Sequence, residues 1–315
     1  MKKMRLKTSV SFFILSLFLI FFSRTLNPID RISDQKDFHP EFSFEGRIVF
    51  QSNFDGDNEI YLLTKEGLKK LTNNNWEDEY PVWSPDGKKI AFTANQNENY
   101  DIFLMNADGS QITQLTTASS DEKEPSWFPD GENVAFTRII KKFLRQSLIL
   151  FQVNIHTRKS KRIIPQYNKG HALPNISPKG ELLTFTGKKT FGWDVALFSM
   201  LRNKAQFLDE GGKSCRARFS RDGNKLAYVS SKADGKGDIW IMNPDGSDKE
   251  RITELDDTYD YFPSWSPDNK YIVFDSSHQH DHEGNWKLFI VEVQTKKVSF
   301  LFDTPGNDVF PDWHQ

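Results

Sequence analysis

From residue 46 onward, apolar and polar positions alternate in short runs that are punctuated by proline and by Asp-Gly pairs. Alternation with a period of two marks strands that bury one face, and the punctuation marks the turns between them. One theme returns along the chain: PVWSPDGKKIAF (81–92), PSWFPDGENVAF (125–136), PNISPKGELLTF (174–185), ARFSRDGNKLAY (217–228) and PSWSPDNKYIVF (263–274). A sixth copy is divided between the two ends, with PDWHQ (311–315) supplying its first half and GRIVF (46–50) its second. The core positions Trp83, Trp127, Ile176, Phe219, Trp265 and Trp313 stand 44, 49, 43, 46 and 48 residues apart. That period suits a four-stranded propeller blade.

Each unit reads as a short P-x-W strand, a turn, an alternating strand such as KKIAF, a third strand and a short fourth such as QLT (114–116). The third strands are EIYLL (59–63), DIFLM (101–105), LILFQV (148–153), DVALFSM (194–200), DIWIM (238–242) and KLFIV (287–291). The pattern predicts an all-β fold, a six-bladed β-propeller of four-stranded blades, with the P-x-W aromatic packed between neighbouring blades. An open ring would leave a strand edge and an apolar face uncovered. The divided copy predicts the remedy: the C-terminal strand pairs with GRIVF, so that both ends of the chain share one blade.

Upstream of the repeat, Lys2, Lys3, Arg5 and Lys7 precede the apolar stretch SVSFFILSLFLIFF at 9–22. This is an export signal, and it is shorter than the roughly 20 residues of a comfortable membrane span. SRTLNPIDR (23–31) has no small-x-small cleavage pattern and no Cys for lipid attachment, which keeps an uncleaved anchor in play beside a signal peptide. The expected division is residues 1–23 as signal peptide or N-terminal membrane anchor, 24–45 as linker and 46–315 as propeller. The positive-inside rule then places 24–315 in the periplasm or another extracytoplasmic space, held at the inner membrane by residues 9–22 in the uncleaved case.

Composition narrows the classes. Of the 315 residues 37% are hydrophobic and 14% aromatic, enough for a packed core. Lys+Arg 41 against Asp+Glu 43 leaves a formal net charge of -2, so no bulk field draws the chain to nucleic acid. Cys215 is the single cysteine, and no intramolecular disulfide is available. It reads as a small, part-buried side chain rather than a reactive thiol.

The loops leading into the innermost strands gather around a propeller's channel. They are EDEY (77–80), DEKE (121–124), KGHA (169–172), KSCR (213–216), YDYF (259–262) and NDVF (307–310). The equivalent positions three before each Pro, or before Ala217, hold Asp78, Glu122, His171, Ser214, Asp260 and Asp308. Like charges at a narrow mouth call for a neutralising partner, which makes this ring a candidate for Ca²⁺ or another divalent cation, or for a basic group of a protein. The competing expectation is that these carboxylates cap their own loop amides. Trp76, Tyr80, Tyr259 and Tyr261 flank the same mouths, in keeping with a protein or glycan surface or with packing between loops. In HQHDHEG (278–284), His278, His280 and His282 alternate as ligands for Zn²⁺, Cu²⁺ or Ni²⁺ would, at a position where other blades carry simple turns.

The W-S-P-D-G-x-x-[IVL]-[AV]-F units resemble those of TolB-type propellers, related in style to WD-repeat proteins, over about residues 46–315. The resemblance implies an exported module that uses its channel-mouth face to bind a cell-envelope protein, as a monomer, touching the membrane only through its N-terminal segment and requiring no cofactor. Residues 24–45 are too short for the additional N-terminal domain of TolB itself. Lys179, Ile176 and Arg221 depart from the repeat, and KKFLRQ (141–146) and HTRKSKR (156–162) make that half of the ring basic. No G-x-S-x-G elbow, H-E-x-x-H or P-loop is present. The rival expectation is a glycan-binding propeller or a metal- and His-dependent carbohydrate-active enzyme similar to oligogalacturonide lyase. That activity would require His171 and a second His on one face within reach of a shared metal.

Overall fold

In the computed structural model, which describes residues 44–315 apart from 143–144, 165–169, 210, 256 and 278–285, the repeat folds as six antiparallel four-stranded sheets arranged as a propeller. The leader, nearly all of the linker and the HQHDHEG histidines lie outside the described residues. Among the described residues no helix is long and apolar enough to cross a membrane.

Blade 1 runs outward from Asp78–Trp83 through Lys89–Asn97 and Asn99–Asn106 to Thr113–Gln114. Blades 2 to 5 begin on the axis with Asp121–Trp127, His171–Ile176, Ser214–Phe219 and Asp260–Trp265. Blade 6 is composite: Asp308–His314, Arg47–Ser52, Glu59–Thr64 and Gly67–Lys70 lie side by side, with Ile48 opposite Trp313 and Ser52 opposite Asp308. The expected third strand 238–242 is observed with those bounds, while LILFQV extends to Arg145–Asn154. The extension arises because this strand and its neighbour Asn133–Lys142 stay paired from Asn154 opposite Asn133 out to Arg145 opposite Lys142.

The turn after each P-x-W explains itself chemically. Ser84 Oγ donates to Asp86 Oδ1 at 2.8 Å and accepts from Lys89 N at 2.9 Å, closing the loop around the Asp-Gly corner. The corner needs a positive φ, met by Gly87 at 66° and, in blade 5, by Asn269 at 60°, the residue after Gly best able to adopt it.

Burial follows the joints between blades. Trp83, Ile90, Phe92 and Phe103 of blade 1 pack with Val49 and Ile60 of blade 6. Trp313, Ile48 and Phe50 of blade 6 pack with Val273, Leu288 and Ile290 of blade 5. Fully burying each such side chain is worth about 1.5–3 kcal/mol, so these joints carry much of the stability. The indoles also cross the joints, with Trp127 Nε1 donating to Val82 O at 3.3 Å and Trp265 Nε1 to Arg218 O at 3.2 Å.

Candidate functional site: the axial channel

The innermost strand of every blade carries a β-bulge, placed where the residue of P-x-W that would donate to the ladder is proline, or Ala217 in blade 4. The residue just before it is left-handed in all six blades: Tyr80 (φ 55°), Glu124 (62°), Leu173 (56°), Arg216 (59°), Phe262 (48°) and Phe310 (56°). Left-handed backbone costs a non-glycine residue about 1–2 kcal/mol, and here it is imposed six times. Together these residues form one plug on the axis. The Phe310 ring lies 4.1 Å from Tyr80 and 4.0 Å from Phe262, centroid to centroid, and the Arg216 guanidinium stands 4.4 Å over Phe262. Glu124 Oε2 accepts from Leu173 N and Thr137 Oγ1, both at 2.7 Å, and its burial pushes the carboxyl pKa up.

The plug divides the axis. Beside it is a chamber of about 30 Å³ lined by plug residues with Asn175 and Arg218. Toward the Ser-Pro-Asp-Gly turns the channel widens into an open bowl of about 400 Å³. The bowl's wall includes Ser126, Asn175, Arg218 and Asp312, and its rim is built from Pro85, Pro129, Pro178, Pro267 and Arg221. Asp312 accepts from Arg218 Nη1 at 2.7 Å, Ser264 Oγ at 3.1 Å and Trp83 N at 2.8 Å.

The ring expected at the mouth is built differently. Asp78, Glu122, His171, Ser214, Asp260 and Asp308 do occupy six equivalent positions, but all six are buried and none lines either axial cavity. Each lies two residues before a plug residue on its strand, and because that plug residue is left-handed the two do not share a face as regular alternation would have them. Asp78 accepts from Asn74 Nδ2 at 2.6 Å beside Glu59 of blade 6, and burial raises its pKa to about 7. Asp308 accepts from Thr304 N at 2.6 Å and Thr304 Oγ1 at 2.7 Å, and Asp260 from Ser276 Oγ at 2.6 Å; burial raises both to about 6. Glu122 pairs with Arg138 at 2.5 Å, and Ser214 Oγ accepts from Val195 N at 3.1 Å. Among the described residues no group of three or more His, Cys, Asp or Glu is placed to hold a metal.

His171 is buried edge-on against Phe185, 4.8 Å between centroids, and burial with Arg162 nearby lowers its pKa to about 4. It is therefore a neutral ring in an apolar joint and faces neither axial cavity. His278, His280 and His282 lie outside the described residues. Of the flanking aromatics, Tyr80 belongs to the plug, whereas Trp76 packs against the joint of blades 6 and 1. Tyr261 stacks on Trp286 at 5.5 Å beneath Arg216, with Tyr259 next to it at 6.3 Å. Glu124, Leu173, Arg216, Phe262, Phe310 and Asp312 escaped the sequence reading. Their signal is positional: the residue directly before each P-x-W, and in Asp312 the x itself.

Comparison with known proteins agrees with this architecture. The family model described as the TolB beta propeller domain matches residues 29–216. The Tol-Pal system protein TolB of Francisella tularensis subsp. mediasiatica is 28% identical over 239 residues, which cover 73% of this chain and 54% of the relative. The chain thus spans about half the length of that relative. TolB from Acinetobacter baumannii superposes with a TM-score of 0.72 at 20% identity, over 85% of this chain and 66% of that one. A putative TolB from Agrobacterium tumefaciens gives 0.67 at 18%, over 87% and 100%. At these identities the two solved structures are alike in fold.

Proposed function

Because the chain belongs to the TolB β-propeller family, we propose that it is an exported, non-catalytic binding module that docks a cell-envelope protein on the turn face of its channel. The observation that carries this reading is the plugged axis. A channel closed by Tyr80, Phe262, Phe310 and Arg216 offers no passage, and the open bowl of about 400 Å³ beside it is a concave receptor of a size that accepts part of a partner. Its rim of prolines is rigid before binding, so little ordering entropy is lost when a partner arrives. The relative from Francisella is named for the Tol-Pal system, and a partner within a system of that kind in the cell envelope is the corresponding expectation here. The basic, apolar leader at 1–22 supports export.

Photo-crosslinking in cells tests the reading. A crosslinking amino acid at Pro129 or Pro178, on the rim, should capture the same envelope protein, and one at the outer-strand residue Lys204 should not. Absence of a rim-specific product, or equal capture from Lys204, would refute docking at this face.

A further inference from the structure

The rim position that is Pro85, Pro129, Pro178 and Pro267 in other blades is Arg221 in blade 4. Proline there presets the turn, and arginine gives that up. The turn is held instead by Arg221 N–H donating to Asn269 Oδ1 of blade 5 at 2.7 Å. The Arg221 guanidinium reaches from blade 4 past blade 5 to donate to the Trp313 carbonyl of blade 6 in a part-buried contact, and the residue, exposed as a whole, lines the bowl.

Two guanidiniums, Arg218 and Arg221, line the bowl with Asp312 and the C-terminal residue Gln315. Arg218 is matched by Asp312 at 2.7 Å, while Arg221 has no carboxylate partner within ion-pair distance among the described residues. The aspartates of the surrounding turns are occupied by their own serines, with Ser84 Oγ on Asp86 at 2.8 Å, Ser220 Oγ on Asp222 at 2.6 Å and Ser266 Oγ on Asp268 at 2.7 Å. A guanidinium keeps its proton at any physiological pH, and a planar fork of donors beside a second guanidinium favours a carboxylate. The remaining wall is mixed, with the rim prolines beside Ser84, Ser126, Asn175, Ser177 and Ser220 and the indoles of Trp83 and Trp127 buried behind them, a surface that a bare anion would leave unused and a peptide's backbone and side chains would cover.

We propose that the bowl is a receptor for an acidic peptide segment, whose carboxylate pairs with Arg221 while its backbone and neighbouring side chains cover the proline rim. This rests on the reading of the chain as a docking module and specifies the chemistry of the docked segment.

The test uses the full chain and three probes: a triglutamate peptide blocked at both ends, its triglutamine counterpart, and succinate. Binding is followed through the arginine Nε–Hε signals in NMR and by calorimetry. The triglutamate peptide should shift the Arg221 signal saturably, and the Arg221→Gln variant, which keeps the backbone N–H, should bind it about tenfold more weakly. No shift, equal binding of triglutamine, undiminished binding by Arg221→Gln, or succinate bound as tightly as the peptide would each overturn the proposal. Rim crosslinks that persist undiminished in Arg221→Gln would overturn the acidic-segment site while leaving docking intact. Loss of all rim crosslinks with triglutamate binding retained would do the reverse.

Discussion

Arg218 of blade 4 and Asp312 of blade 6 meet at 2.7 Å across the face of blade 5, on the turn side of the plug. The same carboxylate holds Ser264 Oγ of blade 5 and Trp83 N of blade 1, so one side chain links four of the six blades.

Removing that carboxylate leaves a guanidinium and a backbone donor without their acceptor. Asp312→Ala should therefore lower the free energy of unfolding by about 3 kcal/mol, more than an exposed ion pair is worth. Urea denaturation measures this, and a loss below about 1 kcal/mol would show the pair to be incidental.

Ring closure depends on the composite blade. Trp313 is 2% exposed, donates from Nε1 to Glu45 O at 2.9 Å and packs edge-to-face on Phe44. Deleting residues 309–315 uncovers the Arg47–Ser52 strand and the joint with blade 5, and should abolish cooperative unfolding at the temperature of the intact chain. Trp313→Ala alone should cost about 3–5 kcal/mol. A truncated chain that melts reversibly at the full-length temperature would contradict closure as the source of stability.

Asp275, fully enclosed behind the plug, accepts from Phe310 N at 3.0 Å through Oδ2, while Oδ1 has no hydrogen-bond partner. Burial raises its pKa from 3.8 to about 7. A raised carboxyl contributes stability that is complete below the unfolded value and is lost as pH rises through the folded one. Asp275→Asn is neutral throughout and retains an acceptor, so it should gain on the wild type by on the order of 2 kcal/mol between pH 5 and pH 8. Thermal melts of both proteins across that range decide it; a constant difference would mean that Asp275 is ionised in the folded state.

Gly192 and Gly212 cross so closely that a Cβ on Gly212 would stand 1.8 Å from Phe191 O, with φ at 71°. Gly235 has φ 90° and open space around it. Gly212→Ala should cost more than about 3 kcal/mol, through a backbone clash added to the φ penalty, and Gly235→Ala only about 1–2 kcal/mol. Equal costs in chemical denaturation would rule out close approach as the reason for the Gly212 glycine.

The chain's own pattern was enough to specify the number of blades, the third strands and the pairing of Ile48 with Trp313. Each of these follows from a period of two within strands and a period of 43 to 49 residues between blades, and such periods survive whatever lies opposite them. What faces the axis was decided only by the tertiary structure. Spacing placed Asp78, Glu122, Asp260 and Asp308 in register but not their direction, because a single left-handed residue in each innermost strand shifts the alternation by one. That bulge turns the residue before proline onto the axis and leaves the carboxylates buried off it, beside Asn74, Arg138, Ser276 and Thr304. The role of Arg221 was set in the same way. As a break in the repeat it was visible in the sequence, but its place in the bowl beside an aspartate already paired with Arg218, Asp312, 91 residues further along, was set only by the fold.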